Sequence, residues 1–115
     1  MLADEAAVEA ATIEVECARG PILLTSGGDD RAWPSRLLCD IAVRRMAAHG
    51  RADDIEHLTY PRAGHFPLLP GDGYSDTFGW PDSSYRFLLG GSAEEDGAAS
   101  RDAWPRILES LQTLR

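Results

Sequence analysis

The run Gly20-Pro21-Ile22-Leu23-Leu24-Thr25-Ser26-Gly27-Gly28 constrains the fold of this chain more than any other stretch. It is short, apolar at its centre and punctuated at both ends by Gly or Pro, which reads as a strand buried on both faces, as parallel strands are. After a polar turn, Leu37, Leu38, Ile41, Ala42, Met46 and Ala47 recur at helical spacing. With Ser35 placed to cap the start and Gly50 to end it, the pattern predicts a helix over Ser35–His49. Ile55 to Tyr60 then alternates as a strand does and stops at Pro61. Strand, helix and strand in that order predict a right-handed parallel βαβ unit.

The flanks are less regular. Asp4 to Ala11 has length for one or two helical turns, which are marginal alone. Pro61 to Gly91 is rich in Pro, Gly, Asp and Ser, with Phe66, Tyr74, Phe78, Trp80, Tyr85 and Phe87 scattered without period. A stretch of this kind reads as a long loop that lines a pocket or packs over the end of the sheet. From Ser92 to Leu114 helical spacing returns, with Trp104, Ile107, Leu108, Leu111 and Leu114 on one face expected to pack on the core. Pro105 inside that stretch is expected to start a new helix or kink the old one. The fold class is therefore α/β: a short parallel sheet of two strands, or three, flanked by helices in a single domain over residues 1–115.

Composition excludes several functions. The formal net charge is -8 and every basic residue is Arg, so the surface repels nucleic acid and anionic membrane. Cys17 and Cys39 form no close pair, so neither a zinc knuckle nor a redox motif is suggested. With no H-x-x-x-H or H-E-x-x-H spacing, the sequence implies no metal and no cofactor. Gly27-Gly28 could suggest a phosphate-binding turn, but the acidic residues that follow are wrong for an anion. Met1 to Ala11 lacks the basic start and apolar run of a signal peptide, no stretch is long enough to span a membrane, and Thr113-Leu114-Arg115 is no peroxisomal address. A reducing, cytoplasmic setting is the expectation.

The chemistry gathers at the ends of the two strands. Gly27, Asp30, Trp33 and Pro34 give the form G-x-x-D-x-x-W-P, with the two glycines letting the chain leave the strand abruptly and Asp30 projecting over the strand end. Ala63-Gly64-His65 follows the second strand, with little side-chain bulk before the imidazole. An acid and then a histidine, each just past a parallel strand, is the order used by α/β-hydrolase triads. Asp30 would accept the Nδ1 proton of His65 and fix its tautomer, leaving Nε2 to act as general base and then general acid. The competing reading of Asp29-Asp30 is plain turn chemistry, and of His65 a solvated loop residue. His49 and His57 read as surface residues, and Trp104 as core packing.

Taken together, Gly20 to Ser35, Ala48-His49-Gly50, Tyr60-Pro61, Ala63-Gly64-His65, Gly90-Gly91 and Asp102-Ala103-Trp104 resemble the C-terminal domain of acyl-CoA thioesterases and bile acid-CoA:amino acid N-acyltransferases, from about Ala11 to Leu114. The resemblance implies an α/β-hydrolase fold acting on acyl-CoA thioesters. It also implies that the second Asp of the pair, Asp30, is the triad acid and His65 the base, with Asp29 the alternative acid. The nucleophile of that family, a Ser or Cys on a sharp elbow, has no counterpart: none of the serines, nor Cys17 or Cys39, lies in a G-x-S-x-G or G-x-C-x-G context. The expectation is a partial hydrolase domain that is inactive alone and completed on acyl-CoA by an elbow-bearing half. The alternative is a non-catalytic remnant or interaction module. Apolar edges left uncovered by the missing half would favour self-association or pairing with it.

Overall fold

The βαβ unit is the centre of the computed structural model, which describes residues 4–65, 77–78, 84 and 86–113. Strand β1 (Ile22–Gly27) pairs in parallel with β2 (Ile55–Tyr60), in a register running from Ile22 opposite Ile55 to Gly27 opposite Tyr60. The crossover is α2 (Ser35–Ala48), which packs against both strands and buries Met46 completely. Removing a side chain of that size from a core costs about 2–5 kcal/mol, so Met46 is a main anchor of the layer.

Two details of this unit depart from expectation. Helix α2 begins at Ser35 itself, with Pro34 at the cap position, and the Ser35 hydroxyl donates to the carbonyl of Gly27 at 3.4 Å instead of accepting from a first-turn amide. Along β1 only Ser26 and Gly27 are buried, whereas Ile22 to Thr25 are half-exposed. Among the described residues this sheet has two strands, and β1 is buried only at its C-terminal end.

The N-terminal segment is tied down by arginines. Helix α1 (Glu5–Ala11) is capped by the Asp4 carboxylate on the Ala7 amide. Arg45 of α2 forks onto Glu16 at 2.5 and 2.6 Å and also reaches Glu9 of α1 at 3.1 Å. Arg51 donates to the carbonyls of Glu16 and Ala18 and pairs with Asp54. The paired fork holds the Glu16 carboxyl down at about 2, through its hydrogen bond from Arg45 against the opposing effect of burial.

A second, antiparallel pair joins β3 (Thr77–Phe78) to β4 (Phe87–Leu88), so part of the stretch read as loop is a small hairpin-like sheet. Most of the aromatic segment, and any role of it in lining a pocket, lies outside the described residues. Helix α3 (Ala93–Gln112) is one continuous helix capped by the Ser92 hydroxyl on the Glu95 amide. Pro105 does not divide it. Arg101, whose carbonyl loses its donor to that proline, is exposed, and water can satisfy the group. The helix turns an unexpected face inward: Asp96, Gly97, Ala99, Ser100 and Ala103 are buried, while Trp104, Leu108 and Leu111 are 36%, 43% and 57% exposed. The buried face is thus made of small residues, and the larger apolar residues that read as core are left on the outside.

Candidate active site

Asp30 and His65 leave the same end of the parallel pair, Asp30 three residues past Gly27 and His65 five past Tyr60, because the in-register strands stop together at Gly27 and Tyr60. The two turns then touch. Gly28 donates to the Tyr60 carbonyl at 2.8 Å and Asp29 to the Ala63 carbonyl at 3.0 Å. The reason for glycine at 27 is space, since its φ is not positive and a Cβ there would sit 2.0 Å from the Gly64 carbonyl oxygen. The glycine is needed for backbone contact under the histidine turn, not for an abrupt exit from the strand.

The Asp30 carboxylate is almost completely enclosed, with 2% of its side chain exposed, and each oxygen has its own work. Oδ1 accepts from the Ala32 and Trp33 amides at 2.9 and 3.1 Å, which fixes the carboxylate over the turn. Oδ2 lies 3.0 Å from Nδ1 of His65. An ionised carboxylate can only accept, so this bond places the imidazole proton on Nδ1 and turns Nε2 away from the acid. Burial pushes the Asp30 carboxyl up, but hydrogen bonds from His65, Ser35 and the Trp33 and Ala32 amides outweigh it and leave the acid below its ordinary range. Trp33 meets the imidazole edge-on, with ring centroids 5.4 Å apart and planes at 83°. The W-P of the sequence pattern thus sets the ring orientation as well as opening α2.

Asp29, the alternative acid, is turned elsewhere. Its Oδ2 accepts from the Gly91 amide at 2.9 Å and its Oδ1 pairs with Arg31 at 3.2 Å, and these contacts lower its carboxyl, the Gly91 bond most. Cys39 is no better suited to be a nucleophile than its sequence context suggested. It is half-buried, and desolvation first and Asp40 second raise its thiol, the reverse of an activated cysteine. A cavity of about 380 Å³ opens beside Asp30, Trp33 and Ser35. Another of about 490 Å³, lined by Ala7, Val8, Leu38 and Ile41, lies between α1 and α2 and shares no residue with the Asp30–His65 pair.

Two features escaped the reading of the sequence. His57 is not a surface residue: only 10% of its side chain is exposed, Nε2 lies 2.7 Å from the Ser26 hydroxyl and Nδ1 3.5 Å from Asp40. Tyr60 at the end of β2 donates to Asp102 of α3 at 2.8 Å, and burial, followed by that bond, pushes its hydroxyl up to about 12. The alternation of β2 placed both side chains on a strand, and only the packing of α2 and α3 reveals their partners.

Similarity to known proteins runs over nearly the whole chain. Residues 2–114 match the family described as BAAT / Acyl-CoA thioester hydrolase C terminal. Among individual proteins, the chain is 34% identical over 102 residues to the peroxisomal succinyl-coenzyme A thioesterase of Mus musculus, covering 84% of this chain and 23% of the relative. It is 35% identical over 106 residues to acyl-coenzyme A thioesterase 6 of Mus musculus, covering 87% and 24%. It is 30% identical over 95 residues to acyl-coenzyme A amino acid N-acyltransferase 2 of the same organism, covering 83% and 22%. The chain therefore spans about a quarter of the length of the curated relatives it matches. No helix among the described residues is long and apolar enough to cross a membrane. By a match that runs over nearly its whole length, the chain belongs to the BAAT / acyl-CoA thioester hydrolase C-terminal family.

Proposed function

We propose that this chain supplies the acid and the histidine of an acyl-CoA thioester-processing triad whose nucleophile comes from an elbow-bearing partner region. The observation that carries the proposal is the 3.0 Å contact between His65 Nδ1 and an Asp30 carboxylate that is itself enclosed and lowered. A Ser or Cys nucleophile gives its proton to His65 Nε2 as it attacks the thioester carbonyl. The carbon–sulfur bond then breaks, and His65 returns the proton to the leaving CoA thiolate. Water or an amine, deprotonated in turn by His65, attacks the acyl-enzyme carbonyl, and His65 returns that proton to the nucleophile as its bond to the acyl carbon breaks. Asp30 holds the tautomer and stabilises the imidazolium that forms twice in the cycle. The relatives' names support the substrate class, and since they include both thioesterases and an amino acid N-acyltransferase, both acceptors fit.

The test is a chimera in which the matching quarter of the mouse peroxisomal succinyl-CoA thioesterase is replaced by this chain. Acyl-CoA turnover is expected, with kcat falling about 10³-fold or more in His65→Ala and in Asp30→Ala. A folded chimera whose turnover ignores His65→Ala overturns the proposal.

Alone, the chain is proposed to be inactive and to pair with the elbow-bearing region or with itself. The support is the outward Trp104, Leu108 and Leu111 of α3 and a parallel sheet that, among the described residues, has two strands and no further strand on its outer edges. Sedimentation of the purified chain should show dimers or larger species, and a monomer with a sharp melting transition counts against it. The free Cys17 and Cys39 fit a reducing compartment, and we propose the cytoplasm.

A further inference from the structure

His65 is carried on a turn of small residues, Ala63 and Gly64, which by themselves give the backbone little to hold it in place. Two successive amides are nevertheless held. The His65 amide donates to the Leu89 carbonyl at 2.9 Å, and the Gly64 amide donates to Oδ1 of Asp96 at 2.7 Å. Asp96 sits in the first turns of α3 with 2% exposure, among the largest fully enclosed polar side chains described. Its carboxylate reaches the turn across a crowded gap. A Cβ on Gly91 would lie 2.4 Å from both Asp96 Oδ1 and the Gly64 nitrogen, and Gly91 is held from the other side by the Asp29 carboxylate on its amide. Gly90 and Gly91 have φ of +74° and +65°, a conformation that glycine takes without strain. The double glycine therefore opens a slot through which α3 grips the backbone one residue before the imidazole.

We propose that Asp96 is a positioning residue for His65, acting through the Gly64 amide to hold the imidazole on Asp30. The proposal rests on the reading of His65 as the proton shuttle, since a histidine with no proton to move would need no such placement. An aspartate in this place is costly for stability: burial raises its carboxyl despite the Gly64 bond, and nearby Asp29 and Glu95 raise it further. A residue kept only for packing would not need to be charged. Neighbouring acidic residues, Glu94 and Glu95, serve the start of α3 from exposed or half-exposed positions, while Asp96 alone of the three is buried and turned to the turn that carries His65. Displacing a reacting group by about 1 Å can cost on the order of 10²-fold in rate, which sets the scale of the effect.

Two readouts test it. In the full chain with labelled histidine, the low-field Nδ1–H resonance of His65 is expected in the parent and in Asp96→Asn, which keeps an acceptor at Oδ1. It should broaden or vanish in Asp96→Ala. In the chimera, Asp96→Ala should lower kcat about 10- to 100-fold with KM within about twofold, while Asp96→Asn stays within about threefold of the parent. Ala99→Gly, a buried change in the same helix, controls for lost stability and should keep both the resonance and kcat. If Asp96→Ala does not fold, Asp96→Ser, too short to reach the Gly64 amide, takes its place with the same expected losses. Retention of both signals in Asp96→Ala, or equal losses in Asp96→Asn and Asp96→Ala, overturns the proposal. Failure of the triad reading is distinct: there the resonance still depends on Asp96, but turnover survives His65→Ala.

Discussion

Two histidines in this chain face aspartates, and their surroundings separate a site that can do chemistry from one that cannot. His57 lies within β2, with the Ser26 hydroxyl at 2.7 Å on one ring nitrogen and Asp40 at 3.5 Å on the other, a complete Ser–His–Asp set by composition. His65 has an acid at 3.0 Å on Nδ1, and the sequence carries no elbow motif to go with it. Yet Ser26 is 1% exposed, paired opposite Thr59 within the strand ladder, where no thioester carbonyl can reach its hydroxyl. Asp40 is half-exposed at the long end of its contact, so it holds the His57 ring loosely. Asp30 is enclosed, with each oxygen engaged, and His65 lies beyond the strand ends with 20% of its side chain exposed. Reach and preorganisation mark the site, while the three residue types alone do not.

The sharpest way to break this contrast is to remove each imidazole in the active chimera. His65→Ala should abolish turnover as above, whereas His57→Ala should leave kcat within about threefold once the protein is compared well below its melting temperature. Stability should respond in a different way to His57. Its loss leaves the buried Ser26 hydroxyl without that partner, a cost of about 1–3 kcal/mol. This corresponds to a drop in Tm on the order of 5 °C or more for a domain of this size. A double-mutant cycle with Ser26→Ala should return a coupling of about 1 kcal/mol in unfolding. A His57→Ala chimera that folds normally and loses turnover as fully as His65→Ala would mean that the buried set has a catalytic part, and the contrast would fail.

The same pair of sites explains what could be read from the sequence. The βαβ unit was legible because each boundary has a local cause: Gly and Pro at the strand ends, helical spacing up to Met46, and Gly50 past the helix with φ of +71°. The placement of Asp30 and His65 followed, since parallel strands in register must release their turns at one end. His57, by contrast, is one polar residue on an alternating strand, and nothing local tells whether its side meets solvent or a helix. Asp96 is hidden among Glu94 and Glu95, where three acids at a helix start read as complements to the helix dipole. For α3, apolar spacing named Trp104, Leu108 and Leu111 as the core face, but the buried face is made of small residues, Gly97, Ala99, Ser100 and Ala103, whose inward side no apolar period marks. The two-residue strands β3 and β4 are too short for any period to register.

The smallest expected effect concerns a third acid–base contact that involves no essential histidine and so separates acid stability from both sites. Glu16 is held at about 2 against an ordinary 4.5 by its fork onto Arg45. Between these values the folded chain binds fewer protons than the unfolded chain, so stability must fall as pH falls through that window. The contribution is complete above about 4.5 and is lost on approach to 2. Asp29 and Asp30, also lowered, add slope of the same sign, while Asp96, raised, gives stability up as pH climbs above 3.8. Urea unfolding of the parent and Glu16→Gln at several pH values should show the variant less stable near neutrality and flatter in the acid limb, the two curves converging towards pH 2. Because Glu16 is anchored at the α1–α2 side, the substitution should leave the His65 Nδ1–H resonance in place. Parallel acid limbs for the two proteins would show that the Arg45 fork contributes nothing, and acid sensitivity would then belong to the carboxylates around His65.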